Sequence, residues 1–407
     1  MTCNAGMYKL KVMRVRKIIH LDLDAFFCAV EELRQPDLRG KPFAVGGRAD
    51  SRGVVSSCSY AARAFGIHSA MPMARALRLY PELIVVSGHY QDYSRASQQV
   101  MEILGRYTAL LEQISIDEAF MDLTDLPRDG RLLAEEMQAA IQRECNLPCS
   151  LGVASNKLVA KIANDFGKSS HRGSGTYPNA ITVVQPGQEA AFLAKLPAQA
   201  LWGIGPKTGT RLAEFGILTI GQLAQAPIDL LEKEFGKYGP DLAQRARGID
   251  ESPVTTEHDV KSISQETTFT RDLKDAHRLH ETLRELSEQV AHRLRQDSLT
   301  ASTVRIKIRW SDFTTLTRQA TLTQPTDLDG VICSTATSLF DHLWLPEQKL
   351  VRLMGVGVSG LSAHVHQLSL WDTPSEKERR LLDAVDHLQA RFGKRVLHRG
   401  MDRPPKK

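Results

Sequence analysis

Three carboxylates lie in apolar stretches, where a charged side chain is costly unless something neutralises it. Asp22 belongs to the motif HLDLD, and Asp117 and Glu118 belong to the motif SIDE. Carboxylates that are brought together raise one another's pKa unless a cation lies between them. Mg²⁺ prefers oxygen ligands and shares them with substrate phosphates, and two such ions can serve an in-line phosphoryl displacement. The two motifs together predict a metal site, against the alternative that Asp24 and Glu118 only cap an element or pair with arginine.

A second group of side chains could hold a polyphosphate. Ser57, Ser59, Tyr60 and Arg63 belong to SSCSYAARAFG, and Lys161 belongs to NKLVAKIA. Tyr60 and Arg63 are three residues apart at a predicted helix start, so they share one face of that helix. Arginine offers a fork that matches a phosphate, lysine offers a point charge, and a helix N-terminus favours anions. Taken singly, each of these residues is better explained as an ordinary surface arginine or a lysine with a buried stem.

Length and composition limit the class of protein that can carry these groups. The chain has 407 residues, a formal charge of +5, 42% hydrophobic and 24% charged residues. This composition is globular and excludes a wholly disordered or fibrous protein, and the length predicts two to four domains. The sequence contains neither an apolar run of about 18 residues nor a secretory signal, which favours a cytoplasmic protein without a membrane partner. Six cysteines without a CxxC pair predict free thiols in a reducing compartment.

The predicted elements divide the chain into segments that differ in secondary structure. Strands and helices alternate over the first 185 residues, with a strand over 14–24, a helix over 25–35 and a long helix over 90–111. Short helices punctuated by glycine and proline follow over 186–252. Residues 253–262 lack periodicity and are predicted to be a linker.

The next segment predicts a separate α+β domain. Residues 263–361 give the order strand, helix, two strands, helix, strand. This βαββαβ order is typical of a sheet with helices on one face. Residues 372–407 show a polar helix pattern with a basic end, to which we assign no function.

A glycine turn in LWGIGPKTGTRLAEFGILTIGQLA predicts a helix-hairpin-helix. Gly203 and Gly205 precede a helix that carries Lys207. Glycines let backbone N–H groups approach a phosphate closely, and such contacts hold a duplex backbone without reading its sequence. A plain αα-hairpin with a glycine turn is the alternative.

A cationic strand is predicted in TVRIKIRW. Arg305, Lys307 and Arg309 alternate with apolar residues, so period 2 sends the three cations to one face of the sheet. Three cations on one strand favour phosphate contact over an ordinary solvated face.

The peptide QLSLW that follows the last strand could place Leu370 and Trp371 in a groove of a partner protein, or pack them on their own domain.

Four of these motifs together resemble Y-family DNA polymerases of the bacterial polymerase IV type. They are HLDLDAFFCAVE, GVVSSCSYAARAFGIHSAMP, SIDEAFMDLT and GVASNKLVAKIAND, and the resemblance covers residues 16–371. It implies a multidomain α+β fold shaped like a right hand, with a palm, small fingers, a helix-hairpin-helix thumb and a βαββαβ little finger. The implied bounds are 14–24 and 89–185 for the palm, 25–88 for the fingers, 186–252 for the thumb, 253–262 for the linker, 263–366 for the little finger, 367–371 for a clamp-binding motif and 372–407 for a helical tail.

The resemblance also implies a role for individual residues of this sequence. Asp22, Asp117 and Glu118 match catalytic metal carboxylates, with the Leu23 carbonyl as a further ligand. Phe27 matches an aromatic gate that excludes a ribose 2′-hydroxyl. The residues that match a binding site for the incoming nucleotide are Phe26, Phe27, Ser57, Tyr60, Arg63 and Lys161. Residues that match DNA contacts are Gly203, Gly205, Lys207, Arg305, Lys307 and Arg309. Those that match a clamp-binding peptide are Gln367, Leu368, Leu370 and Trp371.

The resemblance implies a template-directed DNA polymerase of low fidelity that bypasses lesions. It would use two Mg²⁺ ions, or Mn²⁺ in their place, and would act as a nucleoid-associated monomer on primed template DNA, dNTPs and the sliding clamp. Two departures stand out: Ser59 occupies a position where the family often has asparagine, and GKSSHRGSG replaces the usual Lys-Pro-x-Gly, which leaves the role of Lys168 open. The alternatives are a catalytically idle DNA or clamp scaffold of the same family and another two-metal enzyme such as a nucleotide cyclase.

Overall fold

The computed structural model describes residues 15–171, 175–257, 259–345, 348–363 and 373–393. The predicted clamp-binding residues Gln367, Leu368, Leu370 and Trp371 lie outside them. The chain divides into two compact units, residues 1–258 and 259–407, and the division falls inside the predicted linker. Among the described residues no helix is both long and apolar enough to cross a membrane.

The first unit contains eight strands and eleven helices in the described residues. The strands are β1 (Ile18–Leu23), β2 (Phe43–Gly46), β3 (Val55–Cys58), β4 (Ile84–Val86), β5 (Leu111–Gln113), β6 (Glu118–Asp122), β7 (Cys149–Ala154) and β8 (Ile181–Val183). The helices are α1 (Phe26–Arg34), α2 (Tyr60–Arg63), α3 (Met73–Leu79), α4 (Tyr90–Gly105), α5 (Gly130–Cys145), α6 (Lys157–Ser169), α7 (Glu189–Ala194), α8 (Pro206–Glu214), α9 (Ile220–Gln225), α10 (Ile228–Phe235) and α11 (Tyr238–Ala246).

The central sheet of the first unit has the strand order β5-β6-β1-β7-β8, so β1 lies in the middle. Ile19 and Leu21 of β1 pack with residues of α4 and α5, whereas Ile18 packs with residues of α6. Because successive side chains of a strand point to opposite faces, His20 and Asp22 share the α6 face with Ile18. The polar residues of β1 therefore face a helix rather than solvent.

Two smaller parts complete the first unit. Strands β3, β2 and β4 form a separate three-stranded sheet, accompanied by α2 and α3. Helices α7 to α11 share a core with α6 through residues such as Leu193, Leu212 and Leu242. The predicted helix over 90–111 ends earlier, at Gly105, because the chain turns there to pair β5 with β6. Thr108 fixes this turn by donating to the Asp122 carbonyl at 2.9 Å and accepting from the Leu110 amide at 3.0 Å.

The second unit has the predicted βαββαβ order, followed by one more helix. Its elements are β9 (Ser262–Leu273), α12 (Ala276–Gln296), β10 (Leu299–Trp310), β11 (Thr315–Thr326), α13 (Asp329–Trp344), β12 (Val351–Ala363) and α14 (Thr373–Phe392). The sheet is antiparallel, in the order β11-β10-β12-β9. Val304, Ile306 and Ile308 are fully buried against α12 and α13, which leaves the opposite face of the sheet open.

Candidate active site

The three predicted carboxylates lie at the ends of adjacent strands. Strands β1 and β6 pair so that Asp22 is directly opposite Glu118, and the Leu23 amide donates to the Asp117 carbonyl at 3.0 Å. Side chains directly opposite one another on antiparallel strands are close neighbours on one face. Residues that are far apart in sequence therefore meet through strand register, as the metal-site prediction requires.

Helix α6 presents a polar face to these strands. Lys157, Lys161, Asn164 and Lys168 follow one another at intervals of four, three and four residues, which places them on one side of the helix. We call these four residues the polar stripe of α6. Each member contacts a different polar residue of the sheet: Lys157 contacts Glu112, Lys161 contacts Glu118, Asn164 contacts His20 and Lys168 contacts Asp22.

Lys168 neutralises the deepest part of the site. Its ammonium contacts Asp22 Oδ1 and lies 3.2 Å from Asp24 Oδ1. Burial nevertheless raises the pKa of Asp22 to about 7, although Lys168 acts to lower it. Asp24 is fully buried and also accepts from Ser150 Oγ, at 3.0 and 2.9 Å, and from the Asn179 amide at 3.1 Å. Asp24 is thus fixed by several donors, while Asp22 depends on a cation.

Glu118 has a different environment. Its Oε2 lies 3.0 Å from Lys161 Nζ and 3.6 Å from His20 Nε2. The His20 ring and the Lys161 ammonium hold the pKa of Glu118 at about 2, against the opposing effect of burial. The third carboxylate, Asp117, accepts at 2.6 Å from Ser115 Oγ. Each carboxylate therefore has its own partner, and neither Asp24 nor Glu118 pairs with an arginine among the residues that the structure describes.

The donor set suits a hard divalent cation. All the predicted side-chain ligands are carboxylates, and the Lys168 ammonium lies between two of the site's carboxylates as a stand-in for a cation. Within the described ranges, no three histidine, cysteine or acidic side chains are grouped tightly enough to coordinate a metal as they stand. In this arrangement Asp117 is engaged by Ser115 and Asp22 by Lys168.

A cleft of about 1180 Å³ connects the carboxylates with the predicted nucleotide-binding residues. The predicted residues that line it are Asp22, Leu23, Phe26, Phe27, Ser57, Tyr60, Arg63, Asp117 and Gly203. Lys168 lines the same cleft, whereas Lys161 and Glu118 are not among its lining residues. Sequence reasoning assigned Lys161 to the nucleotide and left Lys168 open. The seven-residue spacing between the two lysines places both on one face of α6 and is the signal that could have identified Lys168.

Phe27, the aromatic residue predicted to act as a sugar gate, packs against a buried aromatic ring. The Phe27 ring stacks on Tyr93 with centroids 4.4 Å apart and planes at 13°. Tyr93 is fully buried, and its hydroxyl donates to Glu31 Oε1 at 2.5 Å. Phe26 is buried beside Phe27, with ring centroids 5.7 Å apart. Phe27 is only half-buried and lines the cleft, so its exposed side is available to a substrate.

Tyr60 and Arg63 share one face of α2, as their spacing predicts. The Arg63 guanidinium lies over the Tyr60 ring, 4.7 Å from its centroid, and Arg63 Nε donates to the Cys58 carbonyl at 3.3 Å. Ser59 caps the helix by accepting from the Ala62 amide at 3.2 Å, so a hydroxyl there is sufficient to start α2. Ser57 is buried and accepts a contact from Cys28 Sγ at 3.6 Å.

The glycine turn of the predicted hairpin lies between a short 3-10 helix, Ala198–Ala200, and α8. Gly203 adopts φ +101°, a conformation that favours glycine, and a Cβ there would lie 2.8 Å from the Tyr238 hydroxyl. Gly205 is the N-cap of α8, and an added Cβ would meet nothing within 4 Å, so its backbone faces open space. Lys207 is exposed in the first turn of the same helix. The turn is therefore open to an external backbone.

The cationic strand of the second unit lies as its alternation predicts. Arg305, Lys307 and Arg309 are half-buried on the open face of β10, and Lys307 pairs with Glu266 at 2.8 Å. Sequence reasoning missed the neighbouring positions on β12: Gly357 is opposite Arg305, and Gly355 is opposite Lys307. The alternation Gly-Val-Gly-Val on β12 was the available signal. Both glycines are buried, and the side chains of Ser264 and Glu266 on β9 lie beside them.

Family comparisons agree with this geometry. Residues 21–165 match the impB/mucB/samB family, residues 260–370 match its C-terminal domain, and residues 199–250 match a family described as the DNA polymerase-iota thumb domain. A DNA polymerase IV from Dehalococcoides mccartyi strain CBDB1 is 39% identical over 94% of this chain and 96% of its own length. DNA polymerase IV from Lactococcus lactis subsp. cremoris strain SK11 is 40% identical over 87% of this chain and 97% of its own.

Solved structures show the same fold. A Y-family DNA polymerase chimera of Dbh and Dpo4 superposes with a TM-score of 0.77 at 25% identity, covering 85% of this chain and 99% of its own. DinB from Sulfolobus solfataricus superposes with a TM-score of 0.56, also at 25% identity, covering 84% and 98%. The fold and site define a right-hand polymerase. The chain belongs to the Y family of DNA polymerases, among the relatives of bacterial DNA polymerase IV, and it is a DNA-directed DNA polymerase that binds template DNA.

Proposed function

We propose that this polymerase extends primers across damaged template positions, with low fidelity, by two-metal phosphoryl transfer. One observation carries the proposal: Asp22 and Asp117 line a single cleft that also contains Phe27, Tyr60, Arg63 and Lys168, and Glu118 lies opposite Asp22 on the neighbouring strand. This combination supports a metal site formed by the carboxylates, beside groups that suit the sugar and phosphates of a nucleoside triphosphate. The assignment of these residues to a nucleotide cyclase is less favourable, because the thumb and little-finger matches belong to polymerases.

The reaction is an in-line displacement. The primer 3′-hydroxyl attacks the α-phosphate of the incoming dNTP, and pyrophosphate leaves. Asp22, Asp117 and Glu118, with the Leu23 carbonyl, would hold two Mg²⁺ ions, and Mn²⁺ has the same preference for oxygen ligands. When bound by these residues, the metal would supply Lewis-acid activation of the hydroxyl and neutralise charge on the phosphates. The protein's own contribution is to bring these carboxylates together beside the cleft through the register of β1 and β6.

The other side of the cleft receives the nucleotide. Arg63 and the Tyr60 hydroxyl are placed to contact the triphosphate, and Ser57 adds a further hydroxyl. Lys168 neutralises Asp22 and Asp24 in the absence of substrate, and its ammonium can turn to the triphosphate once those carboxylates have another cation. Lys161 remains paired with Glu118, so its contact with the nucleotide is the less direct of the two. Phe27, with Phe26 behind it, packs against the sugar and excludes a 2′-hydroxyl.

Two surfaces are proposed to hold the duplex without reading its sequence. In the first unit, the exposed turn containing Gly203, Gly205 and Lys207 offers backbone N–H groups to a phosphate. In the second unit, Arg305, Lys307 and Arg309 offer positive charge to the phosphates. Both surfaces suit binding to any sequence, as a template-directed enzyme requires.

Lesion bypass is proposed from the size of the fingers. Residues 25–88 contain short strands and helices, of which α1 has nine residues and α2 four. So small a segment makes few contacts with the templating base, which favours tolerance of a distorted base and low fidelity.

We further propose that the predicted palm, thumb and little finger have the bounds given above, and that the protein acts as a monomer at the bacterial nucleoid. The peptide 367–371 is proposed to recruit the sliding clamp.

The test is primer extension on undamaged and damaged templates with Mg²⁺, with Mn²⁺, and with a chelator. We expect extension with either metal, none with the chelator, and synthesis opposite at least one lesion that blocks a high-fidelity polymerase. Addition of the clamp is expected to lengthen the products, and Trp371→Ala to abolish that gain. Extension that persists after complete metal removal would contradict the two-metal proposal, and arrest at every lesion would contradict bypass.

A further inference from the structure

His20 is a buried polar residue to which the proposed mechanism gives no role. It lies on β1 opposite Phe120, and its ring is fully buried and tilted against the Phe120 ring, with centroids 4.7 Å apart. Its Nε2 is directed diagonally across the strand pair to Glu118 Oε2, at 3.6 Å. Among the described residues, Nε2 has no hydrogen-bond partner at this distance. A buried polar atom without a partner calls for an explanation.

The hydrogen-bond network around Asn164 assigns the tautomer of His20. Asn164 Nδ2 lies 3.0 Å from the Ser150 carbonyl, 3.4 Å from the His20 carbonyl and 3.0 Å from His20 Nδ1. Carbonyl oxygens only accept, so the amide nitrogen, not its oxygen, must face them. The amide therefore donates to Nδ1. In a neutral ring the hydrogen is then on Nε2, and the N–H is directed at Glu118.

Two donors thus converge on one oxygen of Glu118. Lys161 Nζ and His20 Nε2 both approach Oε2, while Oε1 has no hydrogen-bond partner among the described residues. The two donors are not equivalent, because Lys161 is on a long flexible side chain and His20 is enclosed between β6 and α6. A shift of about 0.7 Å would bring the His20 contact to normal hydrogen-bond length.

We propose that His20 is a positioning residue that holds Glu118 by Oε2, so that Oε1 is left for the divalent metal, and that Asn164 fixes the tautomer that allows this. The inference rests on the proposed two-metal function. Partners of this kind, which orient a ligand without touching the metal, typically change metal affinity or activity by about 10- to 100-fold when removed.

The test compares His20→Phe with His20→Gln. Phenylalanine keeps the aromatic contact with Phe120 but removes the donor, whereas the glutamine amide can place a donor near the position of Nε2. Mn²⁺ binding to the metal-free protein with primed DNA, followed by electron paramagnetic resonance, is measured for both variants, with thermal unfolding as a check on the fold. We expect His20→Phe to weaken Mn²⁺ binding at least about 10-fold and His20→Gln to restore it to within about threefold.

Wild-type affinity in His20→Phe would overturn the inference, and so would an equal loss in both folded variants, because the donor would then not be what matters. If His20→Phe does not fold, Asn164→Ala decides: it frees the tautomer without changing the ring, and unchanged Mn²⁺ binding would overturn the inference. Failure of the wild-type protein to bind Mn²⁺ would instead overturn the proposed function. The two failures are therefore distinct.

Discussion

The cleft of the first unit and the open sheet face of the second unit both collect charge, but in different ways. In and beside the cleft, Asp22 and Glu118 are largely enclosed, and each has a dedicated partner, Lys168 for Asp22 and Lys161 for Glu118. On the open face, Arg305 and Arg309 form no ion pair with the described residues, and Lys307 forms one that is well exposed to solvent. Enclosed charges interact strongly because water does not screen them, whereas exposed charges act weakly and depend on salt. The difference separates a site for chemistry from a surface for binding.

The largest effect is expected from the carboxylates. Asp117→Ala removes a proposed metal ligand from the end of the cleft, and we expect primer extension to fall by roughly 10³-fold or more, since a metal contributes several kcal/mol to such a transition state. Rapid single-turnover extension measures it. Asp37→Ala, which removes an exposed carboxylate of the same unit, is the matched control. A comparable loss of primer extension in both variants would mean that the effect is not specific to a carboxylate of the cleft, and would contradict the role of Asp117 as a metal ligand.

Substitution of Lys168 tests which lysine of the polar stripe meets the nucleotide. Lys168→Ala is expected to raise the KM for dNTP by roughly 10- to 100-fold, since a hydrogen bond to a charged group contributes about 1.5–3 kcal/mol. Lys161→Ala is the matched comparison and is expected to change kcat more than KM, because Lys161 contacts Glu118 at 3.0 Å. Steady-state kinetics of single-nucleotide insertion separates the two. The opposite pattern would assign the nucleotide to Lys161.

The aromatic gate makes a prediction about selectivity rather than rate. Phe27→Ala opens the cleft beside the sugar while Tyr93 remains in place, so ribonucleotide insertion should rise by roughly 10²-fold or more relative to deoxyribonucleotide insertion. Phe65→Ala is the control, because Phe65 stacks on Tyr80 and is 45% exposed outside the cleft lining. Unchanged sugar discrimination in Phe27→Ala would contradict the assignment of the gate.

The open face should respond to salt. Replacing Arg305, Lys307 and Arg309 together with alanine is expected to weaken DNA binding at all sequences and to reduce the slope of log affinity against log salt by up to about three. Fluorescence anisotropy over a range of salt concentrations gives both quantities. The control replaces three exposed cations, Lys274, Arg278 and Arg293, with alanine. Lys274 lies just before α12 and the other two lie on it, so all three are on the helix side of the sheet. Equal slopes for the two triple variants would refute phosphate contact by this face.

The smallest effect on primer extension is expected from Asp386, a partly enclosed carboxylate that attaches one helix to another. Asp386 on α14 accepts from Arg295 Nε at 2.6 Å and contacts His292 Nδ1 at 2.9 Å, which holds the helix on α12. Asp386→Ala should loosen α14 and speed its removal by limited proteolysis severalfold, without changing clamp-free primer extension. His387→Ala, an exposed neighbour, should cleave like wild type. A loss of primer extension in Asp386→Ala would show that α14 contributes to catalysis, which would contradict a purely structural role for this contact.

The sequence by itself determined the family and most of the architecture, and it predicted the candidate site. The motifs around Asp22 and Asp117 predicted the carboxylate site because strands bring acidic residues into register, and the family and fold inferred from four motifs were confirmed. The βαββαβ order and the alternating cations of β10 followed from period 2, which is local. The helix over 90–111 was predicted too long because the turn at Gly105 depends on Thr108 and Asp122, which become neighbours only in the fold.

The tertiary structure decided which partner each charged residue has. No local pattern shows that Lys168 neutralises Asp22, that Lys161 contacts Glu118, or that Asn164 sets the tautomer of His20. These contacts depend on the rotation of α6 about its axis and on its height above β1, both of which are fixed by packing of the buried residues between them. Helical spacing places the polar stripe on one face, but only the packed core determines which strand residue that face meets.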